Sequence, residues 1–230
     1  MHVVFVVIEG IDGAGKGTHT RRLEEELTGV GVDACSFSFP GYEFTTFGKI
    51  VGEYLDGKYG KELENFPEMI ATLFAVDRFE RKEELEANIK SRDVVFCDRY
   101  CSSNVGYGCA KIANEERVSF AKFLTWLDYD LFGMPIPDVV IYLDIPVKFS
   151  AQLIAKKQAR SYTDKAEDLH EADHEFLGRV ASNYRSLVPD HTRYQEWVTI
   201  NLERNGHLRK EDDVFEDILT TVQNFLHEQK

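Results

Sequence analysis

Residues 3–20, VVFVVIEGIDGAGKGTHT, restrict the fold more than any other stretch. A continuous apolar run, mostly β-branched, ends at Glu9; a glycine-rich turn follows, and a helical pattern begins at Lys16. An unbroken run of this kind reads as a strand buried on both faces. Strand, glycine turn and helix in that order make a cradle for phosphate. Glycines admit positive φ, successive N–H groups face an anion, and the helix N-terminus adds its partial positive charge. Gly13, Ala14, Gly15, Lys16, Gly17 and Thr18 are the candidate nucleotide-binding residues, with Lys16 as the cation at the transferred phosphate. The usual pattern places Ser or Thr directly after the lysine, as a magnesium ligand. Here Gly17 takes that place and Thr18 comes one residue late. Magnesium keeps several waters and can be held mainly by substrate phosphates, so Gly17 does not make the loop inert.

The rest of the chain alternates in the same way. Further strands are expected at residues 33–39, 93–98, 137–146 and 196–201, and helices at 16–28, 46–55, 67–90, 115–131 and 211–229. A loop is expected at 99–108, and 147–188 reads as mainly helical and charged. Strands alternating with helices imply a parallel sheet covered on both faces, an α/β fold. With 230 residues, 43% of them hydrophobic, and no linker or internal repeat, one domain over 1–230 is expected. The net charge of −13 disfavours nucleic acid polymers and anionic membranes as partners. Four cysteines without a Cys-x-x-Cys pair read as reduced thiols. The apolar N-terminus has no basic region and is too short to span a bilayer, so a cytoplasmic protein is expected.

DVVFCDRY, residues 93–100, adds to the phosphate loop. Asp98 ends a buried strand, where an acid can orient magnesium-bound water, and Arg99 brings a guanidinium to the same crevice. A helix cap and a surface ion pair are the plain alternatives, less apt when both residues stand beside a phosphate loop. Phe74 and Arg78 lie four apart on one predicted helix and share a face, so they can share one pocket wall. By pattern alone Phe74 is better read as core than as a platform for a base, and Arg78 can be the partner of a neighbouring glutamate and Asn104 a turn residue.

GAGKGT resembles the loop of adenylate kinases, which also has Gly after the lysine. Over residues 5–187 the chain resembles thymidylate kinases. EGIDGAGKGT, FPGYEFTTFGKIVGEYLDG, LFAVDRFE, DRYCSSNVGY and PDVVIYLDIP carry the resemblance, and the DRY segment with Phe74 and Arg78 is its most specific part. It implies a three-layer P-loop kinase fold with a five-stranded parallel sheet of order 2-3-1-4-5, a helical lid and a homodimer. It implies transfer of the ATP γ-phosphate to thymidine monophosphate (dTMP), with magnesium. Asp12, Phe39, Phe74, Arg78, Arg99, Ser103, Asn104 and Tyr107 would form the acceptor site, with Asp12 near the sugar 3′-hydroxyl. One subgroup of the family carries an arginine in the phosphate loop, where this chain has Gly13; the other supplies it from the lid. The break at AKKQARSYTDK places the lid at about 156–166, and Arg160 is the residue expected to act with Lys16 and Arg99, because a planar fork suits a spread phosphoryl charge.

Gly41 stands where many relatives have an arginine near the acceptor phosphate, and Gly108 where many have glutamine; the second departure would enlarge the base pocket. These leave room for a kinase with another acceptor, and a non-catalytic nucleotide-binding module is the rival outside enzymes. The loop at 201–206 is the expected adenine side. HEADH, residues 170–174, matches a zinc-hydrolase pattern, but a third ligand and a cleft would be needed.

Overall fold

The computed structural model describes residues 3–160 and 173–228, without the side chains of 61, 156–160 and 228. The five main strands are β1 (Val4–Glu9), β2 (Ala34–Ser38), β3 (Val94–Asp98), β4 (Val139–Asp144) and β5 (Glu196–Asn201). They form one parallel sheet in the order β2-β3-β1-β4-β5. The helices are α1 (Lys16–Gly29), α2 (Thr46–Leu55), α3 (Pro67–Glu80), α4 (Lys82–Ser91), α5 (Cys101–Gly108), α6 (Arg117–Thr125), α7 (Val147–Arg160), α8 (His174–Ser186), α9 (Val188–His191) and α10 (Glu211–Glu228). No described helix is long and apolar enough to cross a membrane.

Every residue of β1 is buried, because alternate side chains enter different halves of the core. Phe5 and Val7 pack with Val95, Cys97 and Val140, under Leu85 of α4. Val4, Val6 and Ile8 pack with Val94, Phe96, Val139 and Ile141, against Leu23 and Leu27 of α1. α10 adds Val214, Ile218 and Val222, spaced at 4 and 4 and so on one helical face. Two sandwiched faces explain why the strands read as unbroken apolar runs. The site follows from the order of the strands. β1 lies between β3 and β4, so the chain leaves it toward one side and later returns to the other. The crevice beyond the C-terminal ends of β1 and β3 is where such sheets bind ligands.

Three expectations are corrected. The long helix over 67–90 is two helices, broken at Arg81 (φ −104°, ψ 7°). No Gly or Pro marks the break. The Arg81 guanidinium turns back over the rings of Phe37 and Phe44, 4.5 and 5.1 Å away, and the redirected α4 buries Leu85. The loop expected at 99–108 is mostly helix α5. Its glycines serve close packing: a Cβ on Gly106 would lie 2.9 Å from the Tyr184 ring, and Asn183 donates to the Gly106 carbonyl at 2.9 Å. Tertiary contact overrides weak helix propensity there. The loop at 201–206 is a hairpin of β6 (Glu203–Arg204) and β7 (His207–Leu208), turned by Asn205 and Gly206 at φ 54° and 81°. Asn-Gly is the residue pair that such tight hairpins favour.

Candidate active site

The phosphate loop runs from the end of β1 into α1. Gly10, Gly13 and Gly15 have φ of 155°, 77° and 84°. Gly13 is also required by space, since a Cβ there would come within 2.6 Å of the Ser150 carbonyl oxygen on α7. Ser150 Oγ donates to the Asp12 carbonyl at 2.5 Å, so α7 clamps the loop from outside. Lys16 is buried, and its Nζ donates to the Ile11 carbonyl at 3.0 Å, across the mouth of the loop. Burial, then the nearby charge of Arg99, pushes the Lys16 ammonium down to about 8, against the pull of Asp12, Asp98 and Glu9. Ala14 is buried, and Thr18 is exposed on the first turn of α1.

Asp98 ends β3 level with Ile8 of β1. Its Oδ1 is buried and has no hydrogen-bond partner among the described residues, and its Oδ2 faces Gly17. A buried carboxylate oxygen without a partner, beside the lysine of a phosphate loop, fits a group that orients magnesium-bound water.

Arg99 follows in the left-handed region, at φ 65°. Its N–H bonds to the Ile8 carbonyl at 3.0 Å, which ties this strained residue to the sheet. The guanidinium donates to Asp12 Oδ1 and lies over the Tyr107 ring, 5.0 Å from its centre. Tyr107 donates to the other Asp12 oxygen at 2.9 Å. Asp12 therefore links the phosphate loop to α5.

Beside this link lies a cavity of about 300 Å³. Its wall includes Asp12, Phe39, Phe74, Arg78, Arg99, Ser103, Asn104 and Tyr107, so the structure brings together all eight residues expected on the acceptor side. Leu55, Ile70 and Phe74 make the wall apolar on the α2 and α3 side, while Lys111 lines it beyond α5. The Lys111 ammonium donates to Tyr54 at 2.5 Å.

Several neighbours of the cavity escaped the sequence reading. Glu9 is wholly buried; it accepts from Tyr100 N–H at 3.0 Å, Ser103 Oγ at 2.7 Å and Tyr184 OH at 2.7 Å. Its signal was an acid closing an apolar strand. Asp128 pairs with Arg78 in the interior. Its signal was an acid four residues after Leu124, on the buried face of its helix. Asp77 accepts from both Gly41 N–H, at 3.0 Å, and the Thr45 hydroxyl, and so pins the turn before α2.

The family model for thymidylate kinases matches residues 8–223. The chain belongs to the thymidylate kinase family. It is 32% identical over 229 residues to a probable thymidylate kinase of Thermococcus onnurineus, covering 97% of this chain and 98% of that one. It is 29% identical over 218 residues to the thymidylate kinase of Plasmodium falciparum, covering 95% and 89%. With the thymidylate kinase of Mycobacterium tuberculosis (strain H37Rv) it shares 28% identity over 185 residues, 80% and 86% of the two chains.

Two departures from the thymidylate kinase pattern now have surroundings. Gly41 spends its N–H on Asp77, and a Cβ there would lie 3.3 Å from that carboxylate. A Cβ on Gly108 would lie 3.1 Å from Leu124 and 3.3 Å from Phe120, both on α6, so neighbouring side chains fill the space beside it. The expected lid residue Arg160 ends α7, but its side chain, like those of Lys156 and Lys157, lies outside the described ones; Lys165 lies outside the described residues. So do His170 and Glu171 of the HEADH segment, whose His174 opens α8.

Proposed function

We propose that this chain transfers the γ-phosphoryl group of ATP to dTMP, giving ADP and dTDP. The observation that carries the reading is a single cavity that gathers eight acceptor-side residues and meets the phosphate loop at Asp12. The donor lies along 13–18 and the acceptor in the cavity. Phe74 offers the base a flat apolar face, Arg78 and Asn104 its polar contacts, and Arg99 a fork for the acceptor phosphate. A bound phosphate competes with Asp12 for Arg99 and leaves the Asp12 carboxylate for the sugar hydroxyl.

No general base is required, because the nucleophile is already a phosphate oxyanion. Its oxygen bonds to the γ-phosphorus as the bond from that phosphorus to the β–γ bridging oxygen breaks, and ADP leaves with the electron pair. Lys16 and Arg99 offset the charge spread over the moving group, joined by Arg160 from a lid at 156–166 that excludes water. Asp98 would hold magnesium through water, and the bound ion would neutralise donor phosphate charge.

One kinase domain spans the chain, and it works in the cytoplasm as a dimer of two copies. Met69 and Phe79 of α3, 52% and 45% exposed, offer an apolar surface for the second copy. The test is ADP production from ATP and magnesium with a panel of acceptors: thymidine, deoxyuridine, deoxycytidine, deoxyguanosine and adenosine monophosphates, and free thymidine. Fastest turnover with dTMP is expected. Preference for another acceptor would move the specificity and keep the chemistry; ATP binding without turnover on any acceptor would sink the enzyme reading.

A further inference from the structure

Arg78 and Asp128 form a fully buried ion pair, with side chains 3% and 1% exposed. Asp128 takes Arg78 Nε at 3.2 Å and Nη2 at 2.8 and 3.0 Å. Nη1 has no protein hydrogen bond among the described residues, and Arg78 lines the cavity. The second contact of Asp128 is Asn104, whose Nδ2 donates to Asp128 Oδ2 at 3.5 Å and to the Ala71 carbonyl at 3.2 Å. A carbonyl and a carboxylate only accept, so the NH₂ end of Asn104 must face them. Its Oδ1 is left as an acceptor on a second cavity residue.

The local helix is built around this carboxylate. After α6 the chain continues as a π-helical turn, Trp126–Leu131, with Phe132 N–H bonded to the Leu127 carbonyl at 3.1 Å. The wider turn rotates each residue less than an α-helix does, so Leu127, Asp128 and Tyr129 are all buried in succession. Such turns cost hydrogen-bond geometry and recur at functional sites. A buried ion pair is a poor stabiliser as well, since desolvation offsets much of the attraction. Stability alone is a weak reason to keep either feature.

We infer that Asp128 is a positioning residue for acceptor choice: it fixes Arg78 as donor and Asn104 as acceptor toward the base. This rests on the proposed thymidylate activity and deepens it. Thymine presents a carbonyl acceptor beside a ring N–H donor, which matches that order. Cytosine presents an amino donor beside a ring nitrogen acceptor, which opposes it. A fork already held before the base arrives also loses less freedom on binding.

The test compares kcat and KM for dTMP and dCMP in wild type, Asp128→Asn, Arg78→Gln and the double variant. Asp128→Asn is expected to raise KM for dTMP more than it lowers kcat, and to reduce the dTMP-to-dCMP ratio of kcat/KM on the order of 100-fold. In the Arg78→Gln background the same substitution is expected to lower the ratio less than it does in wild type, because only the hold of Asp128 on Asn104 is left to lose. A ratio unchanged in Asp128→Asn, while wild type prefers dTMP, would overturn this inference alone. Wild type without that preference would overturn the thymidylate reading and this inference with it. Guanidinium ¹⁵N NMR of the wild type covers the case in which Asp128→Asn does not fold. Separate, slowly exchanging Arg78 signals are expected before acceptor is added; signals that sharpen into separate lines only with dTMP would overturn the claim that Asp128 sets the fork in advance.

Discussion

The Cβ that Gly17 lacks would stand 2.8 Å from Asp98 Oδ2. The missing hydroxyl of this phosphate loop is therefore not a gap, because the carboxylate of β3 faces the place a side chain would enter. Restoring the commoner serine sets a new side chain against Asp98, which must shift. Gly17→Ser is expected to lower kcat/KM on the order of ten- to hundred-fold, since small displacements of charged groups around a phosphoryl group are costly. Steady-state ADP formation measures it. A Gly17→Ser enzyme at least as active as wild type would show that the position of Asp98 beside Gly17 has no part in catalysis.

Arg99 keeps a backbone conformation that favours glycine, at φ 65°. A left-handed non-glycine residue costs about 1 kcal/mol, and such strain collects at functional sites. Function and stability should separate here. Arg99→Gly and Arg99→Ala are both expected to lose on the order of 10²–10³ in kcat, the usual result of removing one preorganised charge from a transition state. Arg99→Gly is expected to be the more stable of the two by about 1 kcal/mol in urea unfolding. Equal stability would mean that the strain is relieved elsewhere in the loop.

How much of this was readable in the sequence depended on how local each signal was. The phosphate loop, Asp98 and Arg99 follow unbroken apolar runs, and those runs mark strands buried on both faces. Phe74 and Arg78 sit at helical spacing. The failures were of another kind. No Gly or Pro marks the break at Arg81, and the rings that its guanidinium covers, Phe37 and Phe44, are distant in sequence. Helix α5 was expected as a loop, and its Gly106 and Gly108 serve close approach to neighbouring elements. Asp128 has its role through partners 50 and 24 residues away, Arg78 and Asn104, and Glu9 through partners 91 or more residues away. The Asn-Gly turn at 205–206 is different, since its signal was local and was missed.

Lys16 links activity to pH. Its ammonium titrates at about 8 in the folded protein, against an ordinary value near 10.5. Between those values the unfolded chain holds a proton on this lysine that the fold does not. The penalty of burying the charge is thus present below pH 8, and stability from this group rises as pH climbs toward 10.5. Donor binding runs the other way. The triphosphate favours the charged lysine, so ATP affinity should fall above pH 8, approaching about ten-fold per pH unit, and binding should draw in a proton. Calorimetry at pH 8.5, in buffers of different ionisation enthalpy, reads that uptake directly. Uptake that persists in Lys16→Met would assign it to another group.

Glu9 is the hidden joint of the site. One carboxyl group holds the backbone at Tyr100, just before α5, together with the hydroxyl of Ser103 on the cavity wall and that of Tyr184 on α8. All three partners donate, and a carboxylate accepts from all of them. Glutamine has a single acceptor oxygen, so in Glu9→Gln its NH₂ must face at least one group that was donating. The expected loss is about 1–3 kcal/mol, the cost of a buried polar group left badly paired. Tyr184→Phe removes one donor without placing a new one, and about 1 kcal/mol is expected. The functional effect should fall on the acceptor side, because Tyr100 and Ser103 line the cavity. KM for dTMP should therefore rise more than KM for ATP in Glu9→Gln. A larger rise for ATP would place Glu9 with the phosphate loop and not with the acceptor wall.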